Sequence, residues 1–151
     1  MGLKGLNEND FLYRVVEDDE DLTQGILPKD PDARRTVEQH IASGSKYSSQ
    51  YISTTQSLEV AIKWSWYHME NTPPTERESP LRVLKIYISK LPEEVKETVI
   101  NLVNPTVLKQ YIYGRTHRNY AQNSQEVISQ LPIPKEAISV LETPDKPPCS
   151  K

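Results

Sequence analysis

The chain has very little of the residue types on which several common kinds of site depend. It has one cysteine, Cys149, which excludes an internal disulfide and a cysteine-rich metal site. Its five glycines form neither a G-x-G-x-x-G nor a Walker pattern, which argues against Rossmann and P-loop nucleotide sites. His40, His68 and His117 lack the spacing of metal ligands, so we expect no metal.

Long apolar runs and an excess of positive charge are also absent. No segment approaches the roughly 18 consecutive apolar residues of a membrane span, and residues 1–6 lack an apolar run of signal-peptide length. The net charge of −3 argues against binding to nucleic acid mainly through phosphates. We therefore expect a soluble protein with no membrane partner. The sequence leaves open whether it acts in the cytosol or as an injected effector.

The chain does contain a mixture of short strand and helix patterns. Runs of β-branched and aromatic residues predict strands over residues 11–16, 50–53, 81–88, 125–131 and 137–141. Helical spacing predicts helices over 33–43, 57–69 and 92–102, and polar or proline-rich stretches predict loops over 71–80 and 114–123. No βαβ rhythm is present, so we predict an α+β class. Residues 1–142 would form one domain, followed by a Pro-rich flexible tail over 143–151.

Arg14 is the first residue with a candidate chemical role. In the predicted strand it shares a face with Leu12 and Val16, because side chains alternate along a strand. A guanidinium on an apolar face needs a partner, since burying an unpaired charge is costly. Its planar fork suits a phosphate or diphosphate. An ion pair with one of the many carboxylates is the structural alternative.

Ser53 and Glu126 are the other candidates. Ser53 ends a predicted strand just before a helix, where hydroxyl residues often cap the helix. Alternatively, its hydroxyl could hold a catalytic carboxylate in position. Glu126 could be that carboxylate, because a carboxylate stabilises the positive charge that develops on a sugar when its glycosidic bond breaks. An exposed surface position is the simpler interpretation of an isolated glutamate.

Five short stretches occur in a fixed order along the chain. They are Leu12-Tyr13-Arg14-Val15, Gly25-Ile26-Leu27-Pro28-Lys29, the region of His40, Tyr51-Ile52-Ser53-Thr54-Thr55-Gln56-Ser57-Leu58, and Ser124-Gln125-Glu126-Val127 with Ile133-Pro134 after it. Together they resemble the ADP-ribosyltransferases of the cholera-toxin and heat-labile-enterotoxin class, over residues 11–141. The resemblance implies a split β-sandwich of two small, roughly perpendicular sheets with flanking helices and an NAD cleft.

The resemblance also implies a role for each matching residue. The catalytic residues would be Arg14, Ser53 and Glu126; Arg14, Tyr13, His40, Ser53 and Thr54 would bind NAD; and Ser124 and Tyr120 would contact the acceptor. NAD would be a substrate rather than a resident cofactor. The acceptor would be a macromolecule, with a protein favoured over a nucleic acid.

Ser124 departs from the family pattern. Arginine-modifying members carry Glu-x-Glu, and asparagine- or guanine-modifying members usually carry Gln-x-Glu, whereas here the first position is serine. A neutral serine orients an acceptor arginine poorly, so NAD cleavage is better supported than arginine modification. The leading hypothesis is a mono-ADP-ribosyltransferase. The alternatives are an NAD glycohydrolase, an inactive module of the same fold that binds a partner, and an unrelated α+β binding domain.

Overall fold

A computed structural model describes residues 5–17, 19–43, 48–68, 73–143 and 146–148. The strands in these residues are β1 (Phe11–Val16), β2 (Ile52–Thr55), β3 (Tyr67–His68), β4 (Thr75–Glu76), β5 (Arg82–Tyr87), β6 (Ile100–Asn101), β7 (Glu126–Ser129) and β8 (Ile138–Leu141). The α-helices are α1 (Val37–Ser43), α2 (Leu58–Trp66), α3 (Glu93–Thr98), α4 (Pro105–Tyr111) and α5 (Arg115–Asn123). This mixed architecture agrees with the predicted α+β class. Among the described residues, no helix combines the length and apolarity needed to cross a bilayer.

Six strands form one antiparallel sheet in the order β6-β7-β2-β1-β5-β8, and β3 pairs with β4 separately. Pairing is extensive within each half of the sheet: β1 faces β5 along six residue pairs and β2 faces β7 along four. The two halves meet through one pair, Tyr13 opposite Thr55. The sheet is therefore weakly joined at its centre. The perpendicular arrangement of two sheets stays a prediction.

Two apolar clusters hold the sheet and helices together. One surrounds β1 and β5 and includes the buried Leu84 and Ile86. The other lies between β7 and the helices α1, α4 and α5, and includes Ile41. Val127 belongs to the first cluster and Ile128 to the second, because successive side chains of β7 point to opposite faces. β7 thus lies between the two clusters. Packing on both of its faces holds Glu126, its first residue, in position.

Residues 114–123, predicted as a loop, form helix α5 instead, so that prediction is wrong. The stretch shows no apolar periodicity because Ala121 is its one buried residue. The helix begins where the Glu38 carboxylate accepts backbone N–H groups of Tyr113 and Gly114, each at 2.9 Å. A hydrogen bond with the His117 side chain is the largest cause that lowers the pKa of Glu38 to about 2, and these two backbone N–H groups lower it further. The Glu38 carboxylate of α1 thus stabilises the N-terminal end of α5.

Other boundaries also differ from the sequence prediction; the helix predicted over 33–43, for example, begins at Val37. The helix predicted over 92–102 ends at Thr98, because Ile100 and Asn101 pair with β7 as strand β6. The helix predicted over 57–69 ends at Trp66, and β4 lies within the predicted loop 71–80. Helix α4 was not predicted, although Asn104 caps it by accepting from two backbone N–H groups.

Gly25 allows a close contact that fixes the loop after β1. Its φ is +82°, and a Cβ there would lie 2.1 Å from the carbonyl oxygen of Ile133 and 2.9 Å from the nitrogen of Lys135. The adjacent Ile26 exchanges two backbone hydrogen bonds with Ile133, at 2.8 and 2.9 Å. An added methyl group would therefore force the two backbones apart.

We predict that Gly25→Ala lowers the free energy of unfolding by about 2–4 kcal/mol, because it adds a backbone clash to an unfavourable φ. Gly5→Ala is the matched control: Gly5 has the same φ of +82°, but the nearest atom to an added Cβ would be a side-chain nitrogen of Asn101 at 3.4 Å, an ordinary van der Waals distance. Urea unfolding of both variants measures the difference. Equal losses in the two variants would contradict the role of the close contact.

Candidate functional site

A cavity of about 270 Å³ is bordered by both halves of the sheet and by α1, α2 and α5. This volume is near the lower end of the range for small-molecule sites, about 300–1,000 Å³. Its lining includes Arg14, His40, Ser53, Trp64, Tyr67, Arg77, Tyr120 and Glu126. The cavity thus combines aromatic rings with charged side chains of both signs, and its polar groups come from distant parts of the sequence.

Glu126 is the first residue of β7 and is only 2% exposed. The register of β7 with β2 places it on the same face as Ser53, whose hydroxyl is close enough to lower the pKa of the Glu126 carboxyl. Among the described residues, its Oε2 atom has no hydrogen-bond partner. Burial raises the pKa of Glu126 to about 7, although Ser53 and Arg14 oppose the rise. A buried carboxylate with a pKa near neutrality is characteristic of functional sites.

The turn before Glu126 has a strained backbone. Gln125 has a φ of +48°, in the left-handed region where helices often end, usually at glycine. Its carbonyl oxygen accepts from the backbone N–H of Gln56 at 3.1 Å. The turn leads directly from α5 into β7, so Tyr120 and Glu126 reach the cavity from adjoining elements. Left-handed conformation at a non-glycine residue costs about 1–2 kcal/mol, which the surrounding structure must offset.

His40 is hydrogen-bonded to Ser53. Its Nε2 atom lies 2.6 Å from the Ser53 Oγ. A serine hydroxyl has one proton, so when Ser53 donates to an ionised Glu126 it must accept from His40 Nε2–H. The Nδ1 atom is then a bare acceptor, and it is buried with no partner in the described part of the chain. Burial, with the charge of Arg14, lowers the pKa of His40 to about 4, so the ring is neutral at pH 7.

Arg14 links the two halves of the sheet close to Ser53 and Glu126. Its Nη1 donates to the carbonyl oxygen of Ser53 at 2.9 Å, and its Nη2 lies 3.7 Å from Oε1 of Glu20. Its positive charge also lowers the pKa of Glu126. Arg14 thus supplements the weak pairing between β1 and β2 and brings a cation close to the buried carboxylate.

Five of the predicted site residues line the cavity: Arg14, His40, Ser53, Tyr120 and Glu126. The other three do not. The Thr54 hydroxyl donates to the carbonyl of Val127 at 2.7 Å, and the Ser124 hydroxyl donates to the carbonyl of Tyr120, also at 2.7 Å. Tyr13 alternates with Arg14 along β1 and forms the pair with Thr55 that joins the two halves. These three residues instead connect the elements that position the site.

Other residues that the sequence did not assign to the site also line the cavity, among them Trp64, Tyr67 and Arg77. Trp64 and Arg77 are half-buried there, and Tyr67 is buried. Arg77 follows β4, and no local pattern marks it. The pairing of Tyr67 with Glu76 brings Arg77 back to α2. Among the described residues, no cluster of three or more His, Cys, Asp or Glu side chains could hold a metal ion.

Known structures with a similar fold include two toxins. EcPltA matches with a TM-score of 0.55 at 18% identity, over 86% of this chain and 73% of that chain. Nicked CARDS toxin matches with a TM-score of 0.51 at 17% identity, over 87% of this chain and 25% of the toxin. Both neighbours are ADP-ribosyltransferase toxins, so the chain has a toxin-like ADP-ribosyltransferase fold.

Comparisons at the level of sequence give a family without a described activity. A comparison with curated proteins finds no significant match. The model of the family described as "Domain of unknown function (DUF7587)" matches residues 4–142, which is most of the chain. The chain therefore belongs to the DUF7587 family.

Proposed function

We propose that the chain is a mono-ADP-ribosyltransferase that cleaves NAD and transfers ADP-ribose to an acceptor macromolecule, a protein in the first instance. The observation that carries this proposal is the chain of contacts from His40 through Ser53 to Glu126, with Arg14 beside it, in one cavity. The toxin-like fold supports the same activity. The ordered Arg14, Ser53 and Glu126 set supports membership of the cholera-toxin class within that group.

The reaction breaks the bond between the ribose C1′ and the nicotinamide nitrogen. The bonding electrons leave with nicotinamide, which becomes neutral, and positive charge develops on the ribose. An ionised Glu126 stabilises that charge in a buried site where electrostatic effects are strong. Its Oε2, which has no partner in the described chain, is free to accept from a ribose hydroxyl. Ser53 lies beside the carboxylate and favours its ionised form. The acceptor nucleophile then bonds to C1′ and gives up its proton to solvent.

The proposed mechanism predicts a pH dependence. Only the ionised form of Glu126 stabilises the ribose cation, and its pKa is about 7. We expect kcat/KM for nicotinamide release to rise about tenfold per pH unit below pH 7 and to level off above it. His40 stays neutral over this range, because its pKa is about 4. Initial rates in constant-ionic-strength buffers measure the profile, and a rate independent of pH from about 5.5 to 8.5 would contradict the role of Glu126.

An NAD glycohydrolase is the second candidate, and Ser124 favours it. The Ser124 side chain is buried, and its hydroxyl donates to the carbonyl oxygen of Tyr120 at 2.7 Å. The Ser124 side chain therefore has no O–H left to donate to an acceptor and no negative charge to orient one. If water takes the acceptor's place, its oxygen bonds to C1′, one of its protons passes to solvent, and the product is free ADP-ribose.

One experiment distinguishes these candidates. Purified chain is mixed with NAD labelled in its adenylate part, with and without a cell lysate, for the wild type, Glu126→Gln and the control Glu142→Gln at an exposed position. A transferase labels macromolecules, and protease or nuclease treatment identifies their class. A glycohydrolase gives free ADP-ribose alone. No nicotinamide release by the folded wild type contradicts both activities and leaves a binding module.

A further inference from the structure

Arg77 lines the cavity, but the reaction proposed above gives it no role. It follows strand β4, and its backbone N–H donates to the carbonyl of Trp66 at 2.7 Å, which holds it against the end of α2. Its side chain lines the cavity. Its Nε atom is buried and has no hydrogen-bond partner among the described residues. A buried guanidinium donor without an acceptor is unfavourable, so this position calls for a ligand that supplies one.

The charge of Arg77 also lacks a counterpart. In the described chain, the ion pairs within 4.0 Å are those of Arg14, Lys96 and His117, and none involves Arg77. Arg14, the other arginine in the lining, also has a buried Nε without a partner among the described residues, but its Nη1 donates to Ser53 and its Nη2 lies 3.7 Å from Glu20. The guanidinium of Arg77 has neither of these contacts in the described chain, so more of it is available to an anion than of Arg14.

We propose that Arg77 binds the diphosphate group of the dinucleotide, while Arg14 organises the reacting end of the site. This inference rests on the proposed function, since it assigns the substrate's anionic group to a residue of the same cavity. The planar fork of an arginine matches two phosphate oxygens at once. Trp64 and Tyr67, which line the cavity beside α2 and β3, provide aromatic surface near Arg77 for the adjoining nucleoside.

This assignment divides the cavity into two parts. Glu126, Ser53 and His40 form the part that holds the ribose bearing nicotinamide, and Arg77 lies in the part that holds the phosphates. Binding energy gained at the diphosphate would be the same before and during cleavage. Loss of Arg77 should therefore raise KM for NAD more than it lowers kcat.

The test compares the binding of two probes, ADP-ribose and nicotinamide, by isothermal calorimetry. Arg77→Gln should weaken ADP-ribose binding by about 10- to 100-fold, the effect of losing a charge-assisted, two-point contact. It should leave the affinity for nicotinamide unchanged. Arg77→Lys keeps the charge without the fork and should fall in between. Arg34→Gln, at an exposed position outside the cavity lining, is the control and should match the wild type.

Thermal unfolding first verifies that each variant is folded. ADP-ribose affinity in folded Arg77→Gln within about twofold of the wild type would overturn this inference while leaving the proposed function intact. An equal loss of affinity for nicotinamide would also overturn it, because the defect would then be general. A folded wild-type chain that binds neither NAD nor ADP-ribose would overturn the proposed function, and this inference with it.

Discussion

Replacement of Glu126 by glutamine is expected to lower the rate of nicotinamide release from NAD by about 10³-fold or more. The amide has nearly the same shape as the carboxylate and can still contact Ser53, so the site should stay assembled. It has no negative charge to stabilise the ribose cation. The measurement is the initial rate under saturating NAD, with Glu142→Gln as an exposed control that should retain wild-type activity. A wild-type rate in Glu126→Gln would remove Glu126 from the mechanism.

The same substitution should make the protein more stable above pH 7. The pKa of Glu126 is raised from 4.5 in the unfolded chain to about 7 in the fold, so the folded state binds the proton more tightly. The stability that this proton contributes is fully present below pH 4.5 and is lost as the pH rises through 7. At pH 8 the wild type therefore holds a buried, ionised carboxylate at a cost of about 1–3 kcal/mol, which glutamine avoids.

Urea unfolding at pH 4.5 and pH 8 measures this effect. We expect Glu126→Gln to exceed the wild type in the free energy of unfolding at pH 8, and the advantage to shrink at the lower pH. Glu142→Gln should show no such pH-dependent difference. A variant that loses activity and also loses stability equally at both pH values would indicate a damaged fold, and would contradict the account of Glu126 as a strained, ionised group.

Arg14→Ala is expected to give the second large effect, a loss of about 2–4 kcal/mol in the free energy of unfolding. The guanidinium donates to Ser53 and pairs with Glu20 at the point where the two halves of the sheet share one residue pair. Its removal leaves the partly buried carbonyl of Ser53 without that donor and Glu126 without its cationic neighbour. Denaturant unfolding measures the loss, and Arg34→Ala at an exposed position is the control.

Arg14→Lys separates the charge of Arg14 from its geometry. Lysine keeps a cation near Glu126 but cannot donate in a planar fork to two partners. Because Arg14 lowers the pKa of Glu126, the activity profile of any active Arg14→Ala protein should move to higher pH, and that of Arg14→Lys should move less. Wild-type stability and an unshifted profile in both variants would contradict the position given to Arg14.

The features that sequence predicted well are those set by local patterns. The first strand was predicted at its observed bounds, 11–16, because β-branched and aromatic residues cluster there. The helix that follows Ser57 was predicted because its apolar spacing lies within one short segment, although it ends at Trp66 rather than at residue 69. Glu126 and Ser53 became candidates through ordered motifs, and the register of β2 with β7 places them on one face.

The features that sequence could not predict depend on contacts between distant residues. Helix α5 starts on the carboxylate of Glu38, which lies in α1 and far away in sequence. Arg77 reaches the cavity because β3 and β4 form a hairpin. The sequence did not decide whether Arg14 contacts a phosphate or a carboxylate. In the structure its guanidinium lies beside the Glu20 carboxylate and donates to the backbone carbonyl of Ser53. Such pairings follow from tertiary packing, which single-segment patterns do not contain.

The most direct test of the central claim is whether the purified chain releases nicotinamide from NAD. The wild type and Glu142→Gln, both verified as folded, are incubated with NAD at pH 8, and NAD and nicotinamide are quantified by chromatography over time. We expect loss of NAD matched by an equal gain of nicotinamide in both proteins, and release near the protein-free blank in Glu126→Gln. NAD that stays intact with the folded wild type, at the level of the blank, would contradict it.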